Sequence, residues 1–244
     1  MAAARPRMDI SADPEALAHR VAQWITDLAC HANGRFSVAL SGGSTPKRLY
    51  QLLAGAPYKD VLPWDRVHWF FGDDRFVPWD VPESNYGMAR EAMLAQAPIP
   101  SANIHGIVYE GTPSDAARTY ERELKSYYGA DKLDPARPLF DVVLLGMGPD
   151  GHTASLFPGK PAVEVLDRWV VEVPEPGLNP QVPRVTLAYP ALESSRSVAF
   201  VAAGADKHAM MNRVLAGERA LPSARVNPVG ELVWFIDQAA QRGA

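Results

Sequence analysis

The residues best placed to do chemistry lie in loops that follow predicted strands. Asp150-Gly151-His152 comes just after the most apolar of these strands, Phe140–Leu145. A histidine can act as a general base near neutral pH, and Asp150 could orient the ring or raise its basicity. The alternative is a histidine whose nitrogens are satisfied by backbone carbonyls. We favour the catalytic interpretation because the remaining histidines fall on predicted helices, a predicted strand or their ends: His19, His31, His68, His105 and His208.

A second loop has the composition of an anion cradle. Ser41-Gly42-Gly43-Ser44-Thr45 lies between a predicted strand and a helix that Pro46 opens. Glycines let the backbone turn tightly and expose its amides, the hydroxyls add donors, and the positive end of the helix favours a phosphate. The loop lacks the G-x-x-x-x-G-K-[ST] pattern, so a nucleoside triphosphate is not indicated. A helix cap and tight turn without any ligand is the alternative interpretation.

Further charged residues come at the ends of other strands. Asp73-Asp74-Arg75 could bind an anion, polarise an oxygen, hold a water or bind Mg²⁺, or could be a solvated loop with a local ion pair. Lys207 begins a predicted helix and Arg184 begins a predicted strand. Each of these two cations matters only if the fold brings it to the Ser41–Thr45 loop, and spacing alone does not establish that.

One motif suggests a dinucleotide site. Gly146-Met147-Gly148-Pro149-Asp150-Gly151 matches G-x-G-x-x-G after a strand, and Glu172 follows about 20 residues later. Such a site needs a helix that begins at the third glycine, so that its N-terminus meets the pyrophosphate. Pro158, Gly159 and Pro161 would stop that helix after one or two turns. We therefore do not expect a nicotinamide or flavin cofactor.

The elements that must position these loops alternate along the chain. Apolar runs indicate strands at 36–40, 67–71, 104–108, 140–145, 169–173, 184–187, 198–203 and 232–236. Helical patterns cover about 13–32, 46–53, 84–96, 113–128 and 205–215. Nearly continuous apolar strands alternating with helices predict an α/β fold, with a mostly parallel sheet covered by helices on both faces. In such sheets ligands bind beyond the carboxyl ends of the strands. The loops at these ends are the ones after residues 40, 71, 145 and 203.

Composition restricts the possible partners. The chain has 244 residues, one cysteine (Cys30) and a formal net charge of -4, so an intramolecular disulfide and a site with several thiolates are excluded. An acidic balance argues against a nucleic-acid binder, and no apolar run is long enough for a membrane span or a signal peptide. We expect a cytoplasmic protein, a flexible N-terminus over residues 1–12 and one α/β catalytic domain over 13–244.

Six segments, in order, resemble the glucosamine-6-phosphate isomerase/6-phosphogluconolactonase family, and the lactonases in particular. They are V-A-L-S-G-G-S-T-P (38–46), F-G-D-D-R-F-V-P (71–78), S-N-Y (84–86), G-M-G-P-D-G-H-T-A-S-L-F-P-G (146–159), R-V-T-L (184–187) and G-A-D-K (204–207). The resemblance implies a Rossmann-like fold of the sugar-phosphate isomerase type, without metal or redox cofactor. It implies hydrolysis of 6-phospho-D-glucono-1,5-lactone in the oxidative pentose phosphate pathway. The family usually has glutamate where this chain has Asp74, so we expect an altered reach with activity retained.

The residues and the resemblance together suggest a mechanism. Ser41–Thr45, Lys207 and Arg184 would bind the phosphate, and His152, oriented by Asp150 or a nearby group, would deprotonate the attacking water. Arg75 or the amides around Gly43 would stabilise the oxyanion, with Asp73 in the same site. We expect a monomer or weak homo-oligomer that acts on this small molecule, with no nucleic-acid or membrane partner.

Two other functions remain as alternatives. Glucosamine-6-phosphate deaminases share the phosphate loop, the aspartate and the Asp-Gly-His segment, but they carry a glutamate where this chain has Phe157 and an aromatic residue in place of Arg75. A sugar-phosphate sensor should carry an additional regulatory domain, for which the predicted elements leave no room. Both comparisons favour the lactonase.

Overall fold

The computed structural model describes residues 6–243, and they form two β-sheets joined by helices. The strands are β1 Arg7–Ser11, β2 Phe36–Leu40, β3 Val67–Phe71, β4 Asp73–Arg75, β5 Phe140–Leu145, β6 Val170–Val173, β7 Arg184–Leu187, β8 Ser195–Ala202 and β9 Glu231–Asp237. The helices are α1 Pro14–His31, α2 Ser44–Leu53, α3 Tyr58–Val61, α4 Asn85–Ala89, α5 Pro113–Tyr128, α6 Tyr189–Glu193, α7 His208–Leu215, α8 Pro222–Arg225 and α9 Gln238–Arg242.

The larger sheet has six strands in the order β1-β9-β8-β5-β2-β3, and every neighbouring pair is parallel. Strand β2, next to the edge strand β3, is buried along its whole length, and β5 beside it is buried except at its second residue. Strands buried on both faces are mostly apolar, which is why these two form nearly continuous hydrophobic runs in the sequence. The predicted α/β fold with a mostly parallel sheet is confirmed.

The smaller sheet is antiparallel, in the order β4-β7-β6. Both β6 and β7 are predicted as strands from their apolar residues, but their place in a separate sheet is not. The third strand, β4, consists of Asp73, Asp74 and Arg75, which the sequence suggests as a loop. This interpretation is wrong because a strand can be fixed by long-range pairing with β7, whatever its own residues prefer.

Other boundaries differ from the sequence prediction. Residues 7–11 form the edge strand β1, so the predicted flexible terminus is wrong for them, and residues 1–5 lie outside the described part of the chain. The predicted strand over 104–108 is also wrong, since only Ile104 forms an isolated bridge, to Trp69. The helix predicted from 84 to 96 is α4 followed by one π-helical stretch, Arg90–Leu94. The helix predicted from 205 begins as a 3₁₀ turn, Ala205–Lys207, before α7.

The core is one connected cluster of buried apolar side chains, drawn from both sheets and from the helices packed on them. The division into a single domain over 13–244 stays a prediction. No helix in the described range is both long and apolar enough to cross a membrane.

Candidate active site

The candidate site lies at the carboxyl edge of the larger sheet, next to β2, where the chain changes the side on which it adds strands. From β2 the chain moves to β3 on one side, and later strands β5, β8 and β9 continue on the other side. The loops after β2 and β5 therefore part and leave a crevice at the carboxyl edge, as in other open α/β sheets. The residues that line the cleft are Ser41, Gly42, Gly43, Asp73, Arg75, Asn85, Gly146, Met147, Gly148, His152, Ala154 and Arg184.

The glycine-rich loop after β2 is held from within. The backbone N–H of Ser41 donates to the Tyr50 hydroxyl at 2.9 Å, and that hydroxyl donates to the Ser41 carbonyl at 2.7 Å. Gly43 has φ of 109°, a conformation that side chains other than glycine rarely adopt, and it is the N-cap of α2. No side chain caps this helix, so its first amides are available to a ligand at the cleft.

His152 is held in one orientation by the carboxylate beside it. Its Nδ1 lies 2.6 Å from Asp150 Oδ1, and the same oxygen accepts the His152 backbone N–H at 3.1 Å. The imidazole is mostly buried, with 18% of its side chain exposed. When Nδ1–H donates to Asp150, the lone pair of the ring lies on Nε2, the nitrogen that a general base must present.

Packing around the imidazole adds to this restraint. The Phe157 ring lies 4.5 Å from the His152 ring, centroid to centroid. A Cβ on Gly148 would come within 2.1 Å of the imidazole, so only glycine allows the ring to occupy its place. The Ser223 hydroxyl donates to the His152 carbonyl at 3.2 Å. The histidine is therefore located by contacts on several sides.

The structure of the same loop shows whether a helix follows the G-x-G-x-x-G motif. No helix begins at Gly151, and the next helical turn is the short 3₁₀ segment Pro161–Glu164. Between them, Thr153 and Leu156 form an isolated antiparallel bridge. The G-x-G-x-x-G spacing is present without the helix N-terminus that binds a pyrophosphate, in agreement with the sequence interpretation.

Two arginines face one another on the smaller sheet. Arg75 and Arg184 are paired residues of the antiparallel strands β4 and β7, and both line the cleft. The Nε atoms of both are buried and have no hydrogen-bond partner within residues 6–243. Burial lowers the pKa of Arg184, Asp73 opposes that shift, and Arg75 adds to it. Two neighbouring guanidinium groups, neither in an ion pair within 4 Å among residues 6–243, make this side of the cleft a site for an anion, even though the chain as a whole is acidic.

The guanidinium groups are also held in place. Arg75 Nη1 donates to the Glu83 carbonyl. Arg184 Nη2 donates to the carbonyls of Leu178 and Pro180 at 3.2 and 3.3 Å, and its guanidinium lies 5.1 Å from the Phe157 ring centroid. The other predicted cation, Lys207, donates from Nζ to the carbonyl of Met147 at 3.3 Å, which places it beside the loop after β5.

The adjacent aspartates have different surroundings. Asp73 lines the cleft, and its Oδ2 accepts a 2.6 Å hydrogen bond from the buried Ser155 hydroxyl. Asp74 is buried behind it and accepts from the backbone N–H groups of Arg75, Asn85 and Tyr86 at 2.6 to 3.0 Å. Asp74 is therefore a structural residue that ties the start of α4 to β4.

Burial raises the pKa of Asp74 to about 7, against the opposing effect of its backbone donors. Within residues 6–243, no group of three or more histidine, cysteine, aspartate or glutamate side chains could hold a metal ion. The carboxylate of Asp74 meets its backbone donors directly.

Sequence reasoning missed two residues of the site. Asn85 is almost fully buried, lines the cleft and donates from Nδ2 to the Asp73 carbonyl at 3.0 Å. Ser155 lies behind the cleft and joins it through Asp73. Both belong to segments that resemble the family, but only the folded chain shows which residues they contact. The predicted Ser44 and Thr45 form the first turn of α2.

Comparison with known proteins identifies the family and agrees with the fold. The family described as "Glucosamine-6-phosphate isomerases/6-phosphogluconolactonase" matches residues 12–234. A 6-phosphogluconolactonase of Nostoc is 43% identical over 88% of this chain and 87% of its own, and one of Synechocystis is 40% identical over 96% and 97%. The crystal structure of a 6-phosphogluconolactonase from Thermotoga maritima superposes with a TM-score of 0.82 at 32% identity, over 96% of this chain and all of the other.

Proposed function

Because the chain belongs to the glucosamine-6-phosphate isomerase/6-phosphogluconolactonase family, we propose that it hydrolyses 6-phospho-D-glucono-1,5-lactone to 6-phospho-D-gluconate, a step of the oxidative pentose phosphate pathway. The observation that carries the proposal is the carboxylate-oriented imidazole of His152, which lines a cleft containing two arginines whose Nε atoms have no hydrogen-bond partner in the described chain. That arrangement supplies a base for water and positive charge for a phosphorylated substrate.

The phosphate of the substrate is bound by the loop after β2 and by cations from other loops. The first amides of α2 and the hydroxyls of Ser41, Ser44 and Thr45 donate hydrogen bonds, and the helix dipole favours the negative charge. Arg184 and Lys207 add charge-assisted hydrogen bonds. Binding the phosphate in this way fixes the lactone carbonyl relative to His152, which is the positioning contribution to the rate.

His152 then acts on water. Nε2 takes a proton as the water oxygen forms a bond to the lactone carbonyl carbon, and the carbonyl π electrons move onto oxygen. Asp150 stabilises the resulting imidazolium through its hydrogen bond to Nδ1. The tetrahedral intermediate collapses, the bond from carbon to the ring oxygen breaks, and the imidazolium returns its proton to that oxygen. The product acid then ionises.

The tetrahedral oxyanion needs donors at the moment when negative charge develops. Arg75 is the proposed donor, since its guanidinium is held by Glu83 and its Nε is otherwise unpartnered in the described chain. The amides around Gly43 are the second source. Preorganised donors of this kind contribute about 10²–10³ in rate. Asp73 accepts a hydrogen bond from the attacking water or from a hydroxyl of the sugar.

The deaminase reaction of the same family is disfavoured by one contact. In that reaction a glutamate stands where this chain has Phe157, and Phe157 here packs on the imidazole and beneath Arg184. A phenyl ring cannot relay a proton. A cytoplasmic location and a monomeric or weakly associated state belong to this proposal as well.

The decisive assay generates fresh lactone enzymatically and follows acid release at constant pH. We expect hydrolysis well above the spontaneous rate, with no turnover of glucosamine 6-phosphate by the same preparation. Production of ammonia or fructose 6-phosphate, or acid release no faster than in buffer, would reject the assignment.

A further inference from the structure

Ser155 connects the two sides of the cleft. It follows His152 by three residues, and its hydroxyl donates at 2.6 Å to Oδ2 of Asp73, which lies on β4. Both partners are buried, with Ser155 fully inaccessible and Asp73 5% exposed. A short hydrogen bond to a carboxylate in such a place is stronger than one at the surface. It joins the loop that carries the proposed base to the strand that carries Asp73 and Arg75.

The backbone around Ser155 is bent to make this contact. Ala154 has φ of 46°, and it is the one residue other than glycine with positive φ between residues 6 and 243. A left-handed alanine costs on the order of 1 kcal/mol, and such strain persists where surrounding contacts impose it. Ala154 lines the cleft, and the next residue, Ser155, is fully buried.

Other contacts hold Ser155 and Asp73 from behind. The backbone N–H of Ser155 donates to the Thr186 hydroxyl at 3.2 Å, and Thr186 is the β7 residue paired with Asp73. On the opposite side, Asn85 donates to the Asp73 carbonyl. The Asp73 carboxylate therefore has a fixed direction, and Ser155 is the one side chain in the described chain that donates a short bond to it.

We propose that Ser155 is a positioning residue, which sets the Asp73 carboxylate relative to His152 through the hydrogen bond between Ser155 Oγ and Asp73 Oδ2. This proposal rests on the proposed function and adds to it a bond that fixes the distance between the two sides of the cleft. Ser155 itself does not touch the substrate. Its effect on the reaction must therefore pass through Asp73.

A double-mutant cycle tests that statement directly. Ser155→Ala is expected to lower kcat roughly 10- to 100-fold, because small displacements of reacting groups have effects of that size. Asp73→Asn lowers kcat as well. In the Asp73→Asn background, adding Ser155→Ala should cost less than twofold, since the bond it removes no longer orients a carboxylate. If the two effects multiply instead, Ser155 does not act through Asp73 and the proposal is wrong.

Two further variants separate positioning from folding. Ser195 is an equally inaccessible serine, whose hydroxyl donates to the Leu192 carbonyl at 2.9 Å away from the cleft. Ser195→Ala should lower the unfolding temperature but leave kcat unchanged. Ser155→Cys keeps the size of the side chain but donates weakly, so it should lose most of the activity that Ser155→Ala loses.

The outcomes distinguish failure of this proposal from failure of the proposed function. A wild-type chain that does not hydrolyse the lactone rejects the function itself. A fully active wild type with Ser155→Ala and Ser155→Cys as active as Ser195→Ala rejects only the positioning role. Should Ser155→Ala fail to fold, Ser155→Cys and its combination with Asp73→Asn complete the same cycle.

Discussion

The two sides of the cleft are stabilised in opposite ways. We call them the arginine side, made of β4 and β7 with Arg75 and Arg184, and the histidine loop, residues 146–157 after β5. On the arginine side, each guanidinium is held by its own backbone carbonyls, and neither forms an ion pair within 4 Å in the part of the chain described. In the histidine loop, Nδ1 of His152 lies 2.6 Å from the carboxylate of Asp150.

This difference separates the binding of negative charge from proton transfer. Two neighbouring cations, one of them buried, raise the energy of the empty site, and an anionic group lowers it again. A histidine that already has its carboxylate gains little by binding an anion, but it is oriented for proton transfer. The arginine side is therefore suited to bind negative charge, on the phosphate and on the oxyanion, and the histidine loop to move the proton, which substitutions on each side can test.

The largest effect is expected in the histidine loop. His152→Asn removes the base but keeps a polar side chain of similar shape, and kcat should fall about 10²–10⁴-fold. KM should change little, since the phosphate contacts lie elsewhere. Steady-state kinetics on fresh lactone measures both constants. A variant with the kcat of the wild type would show that another group deprotonates the water.

The two arginines should differ although they are paired residues. Arg75→Met should lower kcat about 10²–10³-fold, as expected for a lost oxyanion donor. Arg184→Met should raise KM about 10- to 100-fold and change kcat little, because a charged hydrogen bond to the phosphate contributes about 1.5–3 kcal/mol. The pair of kinetic constants measures the split. Identical effects from both substitutions would remove the distinction between the two roles.

A smaller effect is expected for the carboxylate of the histidine loop. Asp150→Asn keeps the size of the side chain but removes the negative charge that stabilises the imidazolium, so kcat should fall about tenfold. Steady-state kinetics on fresh lactone measures this loss, and wild-type kcat in the variant would assign Asp150 to the loop structure alone.

The smallest effect concerns stability. The folded-state pKa of Asp74, about 7, lies above its ordinary value of 3.8, so the folded state binds this proton more tightly than the unfolded state. The stabilisation is complete below about pH 4 and is lost as the pH rises through 7. Urea unfolding of the wild type across this range should therefore show a steeper decline than unfolding of Asp74→Asn, in which the position does not titrate. Parallel curves would contradict a pKa of Asp74 that is raised in the folded state.

One half of the larger sheet could be predicted from the sequence because it depends on local patterns. Continuous apolar runs followed by glycines predicted β2, β3 and β5, and their parallel order brings the loops after them to one edge. The strand β4 could not be predicted in this way. Its three charged residues resemble a loop, and only their pairing with β7 makes them a strand.

The same reason limits what could be predicted of the site. Asp150 and His152 are two residues apart, so their contact followed from spacing. Arg75 and Arg184, or Ser155 and Asp73, meet only because distant strands pair. Sequence patterns predicted Arg75, Arg184 and Asp73 as separate site residues. They did not indicate Ser155, because its role depends on its contact with Asp73.

The hydroxyl of Tyr50 has a consequence for how the site assembles. It closes a loop of only nine positions on Ser41, so the chain entropy lost in forming the phosphate cradle is small. The arginine side requires β4 to find β7 from a distant part of the chain, a slower search that loses more entropy. We expect the phosphate cradle and α2 to form early during folding. The cleft should be complete only after β4 has paired with β7 in the smaller sheet.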